Sequence, residues 1–382
     1  MADMMNNQNS ENIDELLKKR ANKKRIKKAK SIGKIALKVG AFVGTFLLTI
    51  LLIVAISLGM ICSDAFPSAQ QMFVTTILET GQLKFLAGLY LSPDEIQDIV
   101  DRNSMKKLEA DVDTGLIQIG GSGNLSFGGD DEFVERPDIE VIEVSGATYS
   151  GTLMIVKDPS RVSLATIYPW RTNGVTLDEL VTSNGAVAGI NGGLYDSSNN
   201  TGGRPYGVIV SNGEIQLNEP QQWPGLVLIG FTEDHILQII DISKMNAAQV
   251  ENLVREQRIR DAVTFQEESS DINNHFVQLI INNEAREMNG MGSGLNPRTA
   301  IGQCADGAVL LFVTDGRGKS GHLGASSGDL ISVMQQYGAV NAANLDGGSS
   351  SCMYYNGEYL KSSVTFYYDN SSWKLPAGFV VK

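Results

Sequence analysis

From Ile139 onward, short apolar runs alternate with clusters of Gly, Asn, Asp and Ser, which is the texture of strands joined by turns. The pattern predicts strands near Ile139–Val144, Thr148–Val156, Ser163–Ile167, Ala186–Ile190, Leu226–Phe231 and Ile236–Ile240. Further strands are expected at Thr299–Cys304, Val309–Val313 and Val340–Leu345. Two hairpins are marked by their turns: Ser211-Asn212-Gly213 between Tyr206–Val210 and Glu214–Leu217, and Asn282-Asn283 between Phe276–Ile281 and Glu284–Glu287. Helical spacing appears at Thr176–Thr182, where Thr176 and Glu179 form a capping signature, at Ala247–Glu256, and at Leu330–Tyr337 behind Ser326 or Ser327. Hairpins with few helices predict an α+β domain around a largely antiparallel sheet. That domain is expected over residues 138–382.

The N-terminal third reads differently. Residues 1–17 are polar, and Lys18 to Lys38 form a basic run, together an expected cytoplasmic tail. Val39 to Ser63 then passes 25 residues without a charge. At about 1.5 Å per helical residue this spans a hydrocarbon core of roughly 30 Å. Positive charge stays on the cytoplasmic side, so the chain after Ser63 is expected outside. A cleavable signal would have an apolar region of about 7–15 residues and a small-residue cleavage site. This run is longer and lacks a clear Ala-x-Ala, so a single-pass anchor at the cell membrane is expected. Residues 64–137 read as a stalk, with an amphipathic helix over Ser68–Leu91, a helix start at Ser92 with Glu95, and a Gly-, Ser- and acid-rich linker at 115–138.

Charge sharpens this division. Up to Lys38 the balance is +7, and the remaining residues carry −19, within a net −12. An acidic main domain argues against nucleic acid, whose phosphates need a basic face. The chain has three His and three Cys, none at zinc-ligand spacing, so neither metal nor other cofactor is expected. Cys304 and Cys352 are expected mainly as small buried thiols rather than as a pair. No protein partner can be named.

Candidate chemistry gathers between Leu295 and Gly357. Twice an apolar run ends in Asp-Gly: Thr314-Asp315-Gly316-Arg317 and Leu345-Asp346-Gly347-Gly348-Ser349-Ser350. A glycine after a strand allows a sharp turn and close approach of a ligand to the backbone. With Asn191-Gly192-Gly193 and Asn296-Pro297-Arg298-Thr299-Ala300-Ile301-Gly302, these stretches resemble, in order, the phosphodiester glycosidase family, including its bacterial exopolysaccharide-associated branch. The resemblance covers roughly Ile139 to Val381. The chain departs from the family pattern at Leu194, where an aromatic is common, and at Ser349, where a third glycine often follows.

The resemblance implies hydrolysis of a sugar-1-phosphodiester, of the GlcNAc-1-phosphate type, in a cell-surface glycan or glycopolymer. Phosphate leaves more easily than an alkoxide, so demand for an acid falls and demand for cations rises. Arg298 and Arg317 suit that role, because the guanidinium fork matches phosphate oxygens. Asp346 is expected as the main catalytic carboxylate and Asp315 as its helper, ionised beside Arg317 and orienting an Arg or the sugar. His322 is a candidate acid/base or phosphate ligand. Asn191, Ser349 and Ser350 are expected to hydrogen-bond the sugar, with Gly192 and Gly193 beside it. Backbone N–H groups at Gly347 and Gly348 could form an anion nest. Two other readings stay open: a non-catalytic polysaccharide binder, and a metal phosphodiesterase using Asp196, Asp315 and Asp346.

Overall fold

The computed structural model describes residues 2–80, 83–120, 137–290, 292–364 and 370–382. Two units are distinguished, Met1–Phe66 and Pro67–Lys382. The first is helix α1 (Ala2–Ile61), which continues from the basic run into the apolar one. Its Phe42, Phe46, Leu51 and Ile56 side chains are exposed. The segment Lys18–Ile61 is long and apolar enough to cross a membrane.

In the second unit, strand pairing follows the predicted runs. The large sheet takes the order Ile139–Ser145, Ser150–Val156, Val309–Thr314, Thr299–Cys304, Ala339–Asn344, Gln278–Ile281, Glu284–Ala285. A second sheet runs Glu358–Lys361, Met353–Tyr355, Ala188–Asn191, Ala377–Val381, Val162–Thr166. A third runs Glu214–Asn218, Val208–Ser211, Ile259–Gln266, Leu226–Thr232, Leu237–Asp241. Every neighbouring pair is antiparallel. The turn residues behave as their chemistry requires: Asn212, Asn282 and Asn283 all take positive φ, the geometry of tight hairpin turns.

Each sheet turns one face to a common core. Met154 and Ile301 come from the first sheet, Ile190 and Phe379 from the second, Val227, Phe231 and Val263 from the third. Helices cover the outer faces. The cluster on the large sheet takes Leu330 and Met334 from α6 (Ser327–Gln336), the third sheet's takes Val250 and Val254 from α5 (Ala247–Glu256), and the second sheet's takes Leu177 and Leu180 from α4 (Leu177–Ser183). Cys304 and Cys352 are buried thiols, and Cys304 Sγ donates to Tyr337 O at 3.3 Å.

The stalk expectation needs correction. The compact unit begins at Pro67, not near Asp138. The single helix expected over Ser68–Leu91 is divided into α2 (Pro67–Leu78) and a 3-10 turn at Lys84–Leu89, followed by α3 (Pro93–Arg102) with its Ser92–Glu95 capping box. Val74, Leu78, Ile96, Ile99 and Val100 are buried, so the amphipathic faces are used inside the unit. The strap after α3 is tied to the sheets. Arg286 Nη2 donates to Met105 O at 2.9 Å, Asp113 N to Asn282 Oδ1 at 2.8 Å, and Gln118 N to Ala305 O at 2.8 Å. Most of the predicted linker falls at 121–136, outside the described residues.

Candidate active site

The register of the large sheet brings the motifs to one edge. Thr299 pairs with Val313 and Ala300 with Asn344, so the start of one strand meets the ends of its two neighbours. Pro297-Arg298, Asp315-Gly316-Arg317 and Asp346-Gly347-Gly348 therefore leave the sheet together. The second sheet joins them through Asn191, the last residue of its strand.

Asn191 is a staple between these segments. Its amide nitrogen donates to Asp346 O at 2.7 Å, and its oxygen accepts from Thr299 Oγ1 at 2.7 Å and Cys352 N at 3.2 Å. This fixes the turn that carries Asp346 rather than leaving the amide for a sugar. Gly192 O also accepts from Asp346 N at 3.3 Å. At Gly193 a Cβ would lie 2.3 Å from Thr264 O, so only glycine admits this approach between sheets.

Asp346 itself is only partly open to solvent. Burial pushes its carboxyl up to about 6, against hydrogen bonds from Ser350 and Gly347 N–H and the charge of Arg317, which favour the anion. Gly348 takes φ +63°, and an added Cβ would stand 2.7 Å from Arg317 Nη2, so glycine gives the guanidinium its place. Arg317 Nη1 donates to Ser349 Oγ at 2.9 Å, and Nε to Asn296 Oδ1 at 3.4 Å. Burial pulls the Arg317 pKa down while the carboxylates of Asp346 and Glu79 hold it up. The Ser350 hydroxyl lies 3.0 Å from Tyr195 Oη.

Asp315 is placed differently from its expectation. Its Oδ2 lies 2.7 Å from His322 Nδ1, and its Oδ1 accepts from Ser150 N at 2.8 Å. It therefore orients an imidazole, while Arg317 turns toward Ser349 and Asp346. The second arginine differs too. Arg298 is 4% exposed, and its Nε and Nη2 are committed to the scaffold: Nε to Ala325 O at 3.1 Å, Nη2 to Ser293 Oγ at 3.0 Å and Gly294 O at 2.7 Å, and Nη2 again to the Glu79 carboxylate. Expected at a phosphate, it sits in the scaffold beneath the turn.

Sequence reasoning gave no role of its own to Asn296, although its motif contains it, nor to Glu79, which lies in the supposed stalk. Among the described residues no group of three His, Cys, Asp or Glu side chains could hold a metal ion. The trio Asp196, Asp315 and Asp346 is accordingly not assembled there. Asp196 Oδ1 instead accepts from Ser198 N at 3.0 Å, in a surface loop. That loop borders a cavity of about 490 Å³ lined by Trp170, Arg171, Asp196 and Arg204 among others.

The family model for phosphodiester glycosidases matches residues 184–382. The chain belongs to that family. The glycosidase-family region thus includes every motif described above. Among curated proteins, the N-acetylglucosamine-1-phosphodiester alpha-N-acetylglucosaminidase of Mus musculus is 25% identical over 254 residues, 62% of this chain and 45% of that protein. The chain thus spans less than half the length of this relative. Among solved structures, the zebrafish enzyme's catalytic domain, auto-inhibited by its pro-peptide, shares 18% identity at a TM-score of 0.49, covering 64% of this chain and 84% of that one. A hypothetical protein from Synechocystis shares 17% identity at a TM-score of 0.41, covering 64% and 61%.

Proposed function

We propose that this chain is a membrane-anchored hydrolase that cleaves a sugar-1-phosphodiester of the GlcNAc-1-phosphate type in a cell-surface glycan. The observation that carries the reading is the Asp346 carboxyl, raised to about 6 and set beside Arg317 on a glycine turn, within a family of phosphodiester glycosidases. Such a carboxyl is ionised at neutral pH and still basic enough to accept a proton. In the proposed step a water oxygen attacks the anomeric carbon and gives its proton to Asp346. The bond from that carbon to the phosphate oxygen breaks, and the phosphomonoester departs with the electron pair. Arg317, of the two arginines, faces the Asp346 turn and stabilises the phosphate. His322, held through Nδ1 by Asp315, can present its other nitrogen to the leaving phosphate or the sugar.

The full chain in detergent should convert the methyl phosphodiester of GlcNAc-1-phosphate to free GlcNAc and methyl phosphate. Retention of the intact diester on the protein without products would favour a glycan-binding role. Products that disappear with chelator would favour the metal reading. The proposed topology rests on the basic flank and the apolar helix. Protease added to intact cells should remove the chain after Ser63 and spare the N-terminal tail; a protected outer domain would refute it.

A further inference from the structure

The buried carboxylate of Glu79 lies just beyond the last turn of α2, a short way after the apolar helix, and it meets the site from below. Its Oε2 pairs with Arg298, the two side chains being 3% and 4% exposed. The same Oε2 accepts from Asn296 Nδ2 at 3.4 Å, and Oε1 accepts from Gly294 N at 2.8 Å. The neighbouring Thr76 accepts from Leu295 N at its hydroxyl, 3.0 Å, and from Asn296 Nδ2 at its carbonyl, 3.4 Å. Gly294 packs so closely that an added Cβ would stand 2.3 Å from the Thr76 backbone. The segment Gly294–Arg298 is therefore moulded onto the end of α2.

Two routes lead from this anchor to the reacting groups. Asn296 bridges Glu79 and Arg317, receiving the Arg317 Nε–H at Oδ1 while donating to the carboxylate. Pro297 O accepts from Gly348 N at 2.8 Å, which supports the turn after Asp346. We propose that Glu79 is a positioning residue of the active site: it locks segment Gly294–Arg298, and through Asn296 and Pro297 it sets Arg317 and the Asp346–Gly348 turn. The helix after the membrane-spanning segment thus completes the site. Burial pushes the Glu79 pKa up to about 7, against the Arg298 charge and the hydrogen bonds from Gly294 and Asn296, which favour the anion. Glu79 has no part in the chemical step; both its oxygens are occupied.

The inference rests on the hydrolase reading, and the test separates the two. Glu79→Gln and the milder Thr76→Val are made in the full chain, with the folded fraction checked by circular dichroism. Hydrolysis of the methyl phosphodiester of GlcNAc-1-phosphate is followed, as is amide hydrogen exchange over residues 293–298. A misplacement of the reacting groups lowers kcat far more than it raises KM. Glu79→Gln should lose at least about 10-fold in kcat per folded molecule, with KM within about 2-fold. Thr76→Val should lose less, in the same sense, and both should speed exchange at 293–298. Wild-type kcat in folded Glu79→Gln, or a loss accounted for by unfolded protein alone, overturns the proposal. A wild-type chain that does not cleave the diester refutes the hydrolase reading instead. Exchange then decides: unchanged protection at 293–298 in both variants removes Glu79 from its place, and faster exchange confined to that segment keeps it there.

Discussion

At the scale of single residues, the site divides carboxylates by surroundings. Asp346 is desolvated and raised to about 6, so the fold penalises its charge. Asp346→Asn removes that charge without changing shape. Turnover should fall by about 10²–10⁴-fold, the worth of a positioned acid or base. Thermal stability at neutral pH should hold or rise, because the folded pKa stands above the unfolded one and the anion is the form the fold disfavours. Equal loss of activity and of melting temperature would contradict this account. The proposed proton-accepting role also fixes a pH dependence. Activity should climb with pH through about 6, as Asp346 ionises. Ser350→Ala removes a hydrogen bond that favours the anion, so the rising limb of kcat/KM should move to higher pH. The place of Asp346 at the edge of the sheet was legible in the sequence because an apolar run delivers it and two glycines follow it. The different fates of Arg298 and Arg317 were not. Both follow the same rule of charge at a strand end, and only a carboxylate more than two hundred residues away ties Arg298 into the scaffold.

At the scale of elements, turn and cap chemistry spoke for itself where the partners were local. Ala247–Glu256 begins at Asn246, whose side chain accepts from Gln249 N, and Ser326 caps α6 in the same way. Strand Ile259–Gln266 was missed. It follows a helix directly, carries Arg260 and Asp261, and owes its place to pairing with Leu226–Thr232 on one side and Val208–Ser211 on the other. Its Asp261 is buried because Arg260 Nε and Asn212 N donate to it. The helix over Ser68–Leu91 was read as one piece because its apolar residues suit a helix. The break after Leu78 is where the chain turns Glu79 inward, a tertiary demand that no local period records. The docking of α2 can be tested without touching a charge. Gly294→Ala places a methyl against the helix backbone at 2.3 Å, and backbone cannot rotate away. Overpacking of this kind costs about 1–3 kcal/mol, which should appear as a lower urea midpoint with an unchanged slope.

At the scale of the whole molecule, the family match begins at residue 184, and the sequence pattern suggests a domain starting near Asp138. The compact unit starts earlier, at Pro67. The physical reason is that the glycosidase-family region leaves buried charges whose partners lie upstream. Arg298 meets Glu79, and Arg286, paired with Glu267, also donates to Met105 O. Met105 and Phe276 are buried in one apolar cluster. A chain truncated to begin at Asp138 would therefore keep all its family motifs and lose the carboxylate under Arg298. Leaving one member of a buried ion pair alone costs about 3–5 kcal/mol, on the order of a third or more of the stability of an ordinary domain. The truncated chain should thus unfold at clearly lower urea than a chain beginning at Pro67, and should lose kcat even where it remains folded. Restoring residues 67–120 as a separate peptide would supply Glu79 again, and recovery of activity on adding it would tie the loss to that segment. Equal urea midpoints for the two truncations would mean that Arg298 needs no partner, and that the glycosidase-family region is self-sufficient after all.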